Sequence, residues 1–266
     1  MINRINLSGS ALIIFLFALN ASATPLGGGV WNGWIQFADG DETHLDNGGY
    51  IGPGYGGQVF DAEYLFYKYD HNANTLSIGL QTGFNVVDGV VNYADGRSYY
   101  AGDLALSFDD DSSSYEYAVD FGLGTRDFDG KTVDAEHDGI HSGDSGVDQA
   151  GLYSVSTWNT HVYSGYTVSN PFAMDGGSLI TSIGDNDNIA GSGTADGVTS
   201  YYRQVTFDLS GLNLGDEFTV DTHWTMSCGN DNINGRLSVE EPSSLLLMGL
   251  GLLSLGLVRL RKKTKV

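Results

Sequence analysis

Phe218-Thr-Val-Asp-Thr-His-Trp-Thr-Met226 carries the clearest strand pattern in the chain. Phe218, Val220, Thr222, Trp224 and Met226 fall on every second residue, the period of a strand with one face buried. Working back from it, Val205, Phe207 and Leu209 repeat the pattern. So do Leu104, Leu106 and Phe108, then Tyr115, Tyr117, Val119 and Phe121 beyond the turn at residues 109–114. Leu76, Ile78 and Leu80 follow a turn at residues 71–74, and Tyr64 and Phe66 alternate with Tyr67 and Tyr69 before it. At the start of the body Trp31, Gly33, Ile35 and Phe37 are expected on one face of a first strand. No stretch of the body reads as an amphipathic helix. Short strands at regular spacing, joined by Gly/Asp/Asn turns, predict an all-β fold: an antiparallel β-sandwich or jelly roll. Residues 24–238 are long enough to bury one core as a single domain. The Gly-rich residues 48–57 and residues 127–151 read as long loops within it.

The charge is unevenly spread. Residues 24–258 hold all 33 acidic residues against six cations (Lys68, Arg97, Arg126, Lys131, Arg203 and Arg236), a formal charge of about −27. Such a field repels nucleic acid and anionic membrane surfaces, so nucleic-acid binding is excluded as a function class. It favours divalent cations or plain solubility outside the cell. Cys228 is the only cysteine, so no intrachain disulfide forms and core burial must supply the stability.

The two ends differ from the body. Arg4 is the only charge in residues 1–23, residues 11–19 are uninterruptedly apolar, and Ala21-Ser22-Ala23 is a small-x-small site. This is the pattern of a secretory signal cleaved after Ala23 by signal peptidase, and the apolar run is too short to span a bilayer comfortably. At the other end, Val239-Glu240-Glu241-Pro242 leads into residues 245–258, almost wholly Leu, Gly, Met and Ser. Arg259, Arg261, Lys262, Lys263 and Lys265 follow. A marginal membrane helix with a cationic stop is expected, the charges staying cytoplasmic and the body outside. Glycines at 249, 251 and 256 weaken that helix and suit a temporary anchor.

This three-part tail, residues 239–266, resembles the PEP-CTERM sorting signal of Gram-negative bacteria. The family's usual core is Val-Pro-Glu-Pro; here Glu240 replaces the first proline and Glu241-Pro242 remain. The resemblance implies recognition by exosortase, a membrane-embedded processing enzyme, and a mature form at the cell surface or in the extracellular matrix. Residues 206–212 and 223–231, with Gly102-Asp103-Leu104 and residues 115–120, look like segments of exosortase-sorted ectodomains. The resemblance implies location more than activity.

His137 and His141 have i, i+4 spacing, but Gly139 interrupts them and Asp138 stands where a zinc-helix glutamate belongs, so a solvated acidic loop is the favoured reading. Asp109, Asp111 and Glu116, and Asp185 and Asp187, offer the hard oxygens that calcium takes, the one cofactor expected if any is bound. The Asn230-Asp231-Asn232 run is similar, and ordinary turn chemistry explains each run alone. Cys228 has no base in register with it: His223 is five residues away, hence on the opposite face of a regular strand. The expectation is a non-enzymatic surface protein. A carbohydrate-binding module of exopolysaccharide or biofilm is the alternative, and a secreted polysaccharide hydrolase the third reading.

Overall fold

The computed structural model describes residues 24–40, 57–109, 114–133, 147–215 and 217–239. The described chain is all-β, with three short 3-10 turns (Gln58–Phe60, Thr167–Ser169 and Asp185–Asp187) as its helical structure. The strands are β1 (Ile35–Asp39), β2 (Ala62–Asp70), β3 (Thr75–Thr82), β4 (Val90–Asn92), β5 (Ser98–Tyr100), β6 (Leu104–Ser107), β7 (Tyr117–Asp120) and β8 (Thr125–Arg126). They continue with β9 (Thr132–Val133), β10 (Gly151–Asn159), β11 (Ala173–Ser182), β12 (Asn188–Ala195), β13 (Val198–Asp208), β14 (Phe218–Thr225) and β15 (Asn232–Val239).

Two antiparallel sheets carry the fold, one ordered β1-β2-β3-β13-β12 and the other β11-β10-β7-β6-β14-β15. They bury a shared core. Leu65, Leu76, Ile78, Leu80, Val205 and Phe207 come from the first sheet, and Leu104, Leu106, Val119, Val220, Trp224 and Ile233 from the second. Apart from Leu65 and Ile233, these are residues the alternation selects, because the strand period sends every second side chain inward; in β2 it is Leu65, not Tyr64 or Phe66, that faces the core. Trp224 shows how a close approach is built. Its Nε1 donates to the Gly102 carbonyl at 3.0 Å. A Cβ at Gly102 would lie 2.7 Å from the Thr225 carbonyl oxygen and strike that of Phe172, so only glycine fits.

Three expectations are corrected. Trp31 and Gly33 belong to a turn rather than to the first strand, which begins at Ile35. A bulge between Gln36 and Ala38 then shifts the register, so Phe37 and Ala38 both pack on the core while Ile35 is 56% exposed. Residues 127–151 are not one long loop: Asp127 opens the turn of the β8–β9 hairpin, and Asp127 Oδ1 accepts the amides of Asp129 and Lys131.

Alternation also predicts that the outer faces of the two sheets meet solvent, and there the structure differs. Residues 24–34 cross the outer face of the first sheet. Trp31 stacks on Phe66 with ring centroids 4.1 Å apart and fills the space over Gly79, where any Cβ would collide with its ring. Residues 160–172 cover the outer face of the second sheet, where His223 is fully buried against the carbonyls of Ser169 and Pro171.

Candidate functional site

The expected functional elements fall on unequal ground. Ala21 and Ala23, residues 240–266 with the basic stop, Asp111, and the His137/His141 loop lie outside the described residues. Among the described residues no helix is long and apolar enough to cross a membrane. Val239 is described: it closes β15 opposite Phe218 and is buried, so the core strand runs to within two residues of Glu241.

The calcium candidates are separated. Asp109 Oδ1 accepts the Ser107 hydroxyl at 2.8 Å, and Glu116 gives its backbone oxygen to the Val155 amide across the sheet. Asp185 and Asp187 are exposed in a 3-10 turn, held by the Asp187 amide donating to the Gly184 carbonyl. Among the described residues no three acidic, histidine or cysteine side chains converge on a point where a cation would sit. Asp231 spends its carboxylate on the amides of Ala62 and Asn232, both at 2.8 Å, tying β15 to the start of β2.

Alternation cannot see the buried polar groups of the outer faces. Under residues 24–34, Gln81 is the hub. Its Oε1 accepts the Leu26 amide at 2.8 Å and Trp31 Nε1 at 2.7 Å, and its Nε2 donates to Glu63 Oε2 at 2.6 Å. Glu63 Oε1 accepts Gln58 Nε2 and the Ser200 hydroxyl, each at 2.7 Å. Burial raises the Glu63 carboxyl above its ordinary range, and the donors from Ser200, Gln81 and Gln58 oppose the rise.

Under residues 160–172, His223 Nδ1 meets Asn234 Oδ1 at 2.7 Å, and Nε2 lies 2.9 and 3.0 Å from the carbonyl oxygens of Ser169 and Pro171. The two carbonyl oxygens at Nε2 and Asn234 Oδ1 at Nδ1 are all acceptors, so these contacts call for a proton on both ring nitrogens; a neutral ring protonated at Nε2 requires the Asn234 amide turned so that its Nδ2 donates to Nδ1. Asn234 and Asn232 extend the relay to the Ser169 hydroxyl. Burial lowers the His223 pKa, partly offset by Asn234 and the two carbonyls. Asp103 accepts the Met174 amide at 2.7 Å, and burial pushes it up to about 7, with Asp148 adding to the rise. Burial likewise pushes the Cys228 thiol up to about 12. A thiol so held is not a nucleophile at neutral pH, in keeping with the small buried residue expected there. No sequence signal separated these outward-facing positions from exposed ones, because the segments that cover them are distant in the chain.

Among the described residues, two surface concavities carry charged or aromatic side chains at the edges of hairpins. The larger, about 890 Å³, lies along the β2–β3 hairpin beside Lys68, His71 and Tyr67. Its polar groups are largely spent within the chain: Tyr69 donates to Asn74, Ser77 bonds Thr206, Asp70 caps Asn72 and Ala73, and Lys68 sits over Trp34 at 4.6 Å. The smaller, about 340 Å³, lies between the β4–β5 and β8–β9 hairpins and is lined by Arg97, Arg126, Phe128 and Asp129.

Comparison with known proteins bears on the end of the chain. Residues 241–262 match the family model of the PEP-CTERM protein-sorting motif. No curated protein and no solved structure matches. The match begins two residues after the last core strand and takes in the Glu-Pro pair, the apolar run and the first three cations of the basic stop, Arg259, Arg261 and Lys262. The chain therefore carries, directly behind its β body, a PEP-CTERM protein-sorting motif, the mark of an exported exosortase substrate.

Proposed function

We propose that the protein is a non-catalytic component of the cell surface or extracellular matrix. Signal peptidase would remove residues 1–23, and residues 245–258 would anchor the precursor in the inner membrane with the body outside. Exosortase would then free or display the β body by processing near Pro242. The observation that carries this reading is the motif match beginning two residues beyond β15. A core strand that ends so close to the motif leaves almost no linker, so the precursor would hold its body against the membrane until processing. The buried acids support a structural rather than catalytic role: Glu63, Asp103 and Asp231 each accept hydrogen bonds that fix the chain.

The test is the intact mass and cell fraction of the mature protein from its native host. Loss of both the N-terminal segment and the tail, with surface display or release, is the expected result. A full-length tail retained in the inner membrane would make the protein a plain anchored ectodomain. A second reading, a carbohydrate-binding module of the exopolysaccharide matrix, is favoured by the concavity at Arg97 and Arg126, whose wall includes the partly exposed Phe128 ring with Tyr163 packed against it. A hydrolase has no comparable observation in its favour.

A further inference from the structure

Cations are scarce in this body, so their placement carries information. Of the six between residues 24 and 258, Arg97 and Arg126 line one concavity between two neighbouring hairpins, and Lys131 follows in the β8–β9 hairpin. Like charges brought together cost free energy unless something compensates them. Asp95 and Asp129 lie in the same corner, and Asp127 is buried beneath it beside His161. The corner is thus close to neutral on a body that is elsewhere strongly negative. Among the described residues none of the three cationic side chains forms an ion pair.

The guanidinium groups are positioned but not used up. Arg97 lies over the Phe128 ring, 4.6 Å from its centroid, and reaches the Phe128 carbonyl at 3.5 Å. Arg126 donates to the Gly130 carbonyl at 3.3 Å. Each guanidinium has five N–H donors, so most face the concavity or solvent. The Phe128 ring is in turn 5.4 Å from Tyr163, which is 46% exposed and 5.3 Å from Tyr166. The concavity thus carries two carboxylate-seeking forks and a carboxylate acceptor at Asp129, with the Phe128 ring in its wall and exposed Tyr163 against that ring. The volume, about 340 Å³, is at the small end of ligand pockets.

The geometry points to this corner as a binding site for an acidic saccharide, a sugar that carries a carboxylate as well as hydroxyls; the assignment rests on the carbohydrate-binding reading above. The sugar carboxylate sits on Arg97 and Arg126, a ring hydroxyl donates to Asp129, and the next ring packs on Tyr163. A bare inorganic anion would gain nothing from Asp129 or Tyr163, whereas a neutral sugar would gain only single hydroxyl hydrogen bonds from the two forks and none of the bidentate charge pairing. The negative field of the rest of the body disfavours long polyanions, so short chains bind best per site.

The test uses the mature protein purified from its host, with trigalacturonate and neutral maltotriose as probes, titrated calorimetrically at about 0.15 M salt, where screening length is ~8 Å. Trigalacturonate is expected to bind and maltotriose not. The double change Arg97→Gln and Arg126→Gln should weaken binding by at least about tenfold, as expected when charged hydrogen bonds are lost. Tyr163→Ala should weaken it several-fold, and Lys68→Gln in the other concavity should leave it unchanged. Should the double variant fail to fold, Arg126→Gln alone, with its unfolding midpoint measured alongside, gives the same reading. No binding of either probe overturns both this site and the carbohydrate reading. Binding of maltotriose as tightly as trigalacturonate, or binding that survives both arginine changes, overturns the acidic-saccharide site alone. The mass and fractionation measurement is independent of all these outcomes.

Discussion

The two sheets of this sandwich are covered on their outer faces in opposite ways. Residues 24–34 cover the first with aromatic surface: Trp31 stacks on Phe66, meets Trp34 and Tyr202 edge-on, and is pinned by one polar hub at Gln81. Residues 160–172 cover the second with a hydrogen-bonded relay through His223, Asn234, Asn232 and Ser169. The aromatic cover loses packing in proportion to what is removed. The polar relay fails disproportionately, because deleting one member strands its buried partners.

The largest effect is therefore expected at His223. His223→Ala removes a fully buried ring and leaves the Ser169 and Pro171 carbonyls and Asn234 without their partner, at a cost of about 3–4 kcal/mol in denaturant unfolding. A loss smaller than that of Trp31→Ala would refute the claim that the polar cover is the more brittle.

Next comes the pH dependence of Asp103, held above its unfolded value of 3.8 at about 7. A carboxyl raised in this way contributes stability that is fully present below about pH 4 and lost as pH rises through about 7. Asp103→Asn keeps an oxygen for the Met174 amide but removes the charge. Relative to this variant, the parent protein should lose on the order of 3 kcal/mol between pH 4 and 8. His223 runs the other way: its pKa is lowered, so its contribution is present above about pH 6.5 and declines as pH falls. Parallel titration curves for the parent and Asp103→Asn would remove the buried acid from the account.

Trp31→Ala should cost about 2 kcal/mol, less than a fully buried tryptophan because Trp31 keeps partial exposure. Gly79→Ala should reproduce part of that loss, since the added methyl displaces the same ring. At the rim of the aromatic cover, Lys68→Ala removes a half-exposed cation–π contact with Trp34 and should change stability by no more than about 0.5 kcal/mol. A larger loss would mean that Lys68 helps to hold the strap down.

The inward residues were legible because alternation is local: Val220, Trp224 and Met226, or Leu76, Ile78 and Leu80, need only their own strand to declare a face. Trp31 and Gly33 mimic that period but lie in a turn, since a two-residue match cannot report where a strand begins. Asp231 carried the signature of a turn and indeed caps the Asn232 amide, yet its bond to Ala62 depends on a residue 169 positions away. Of the site residues, Arg97 and Arg126 were visible only as two of six scarce cations; nothing in their spacing announced that two hairpins would bring them together.

By itself the sequence determined the all-β class, most of the core, the acidic charge and the sorting motif at residues 241–262, for each is written in nearest neighbours or in composition. Tertiary structure alone decided which sheets pair, which outward residues are buried, and where the few cations converge. The reason is physical: periodicity fixes the direction of a side chain from its own strand, but burial and charge are sums over neighbours that the chain supplies from far away.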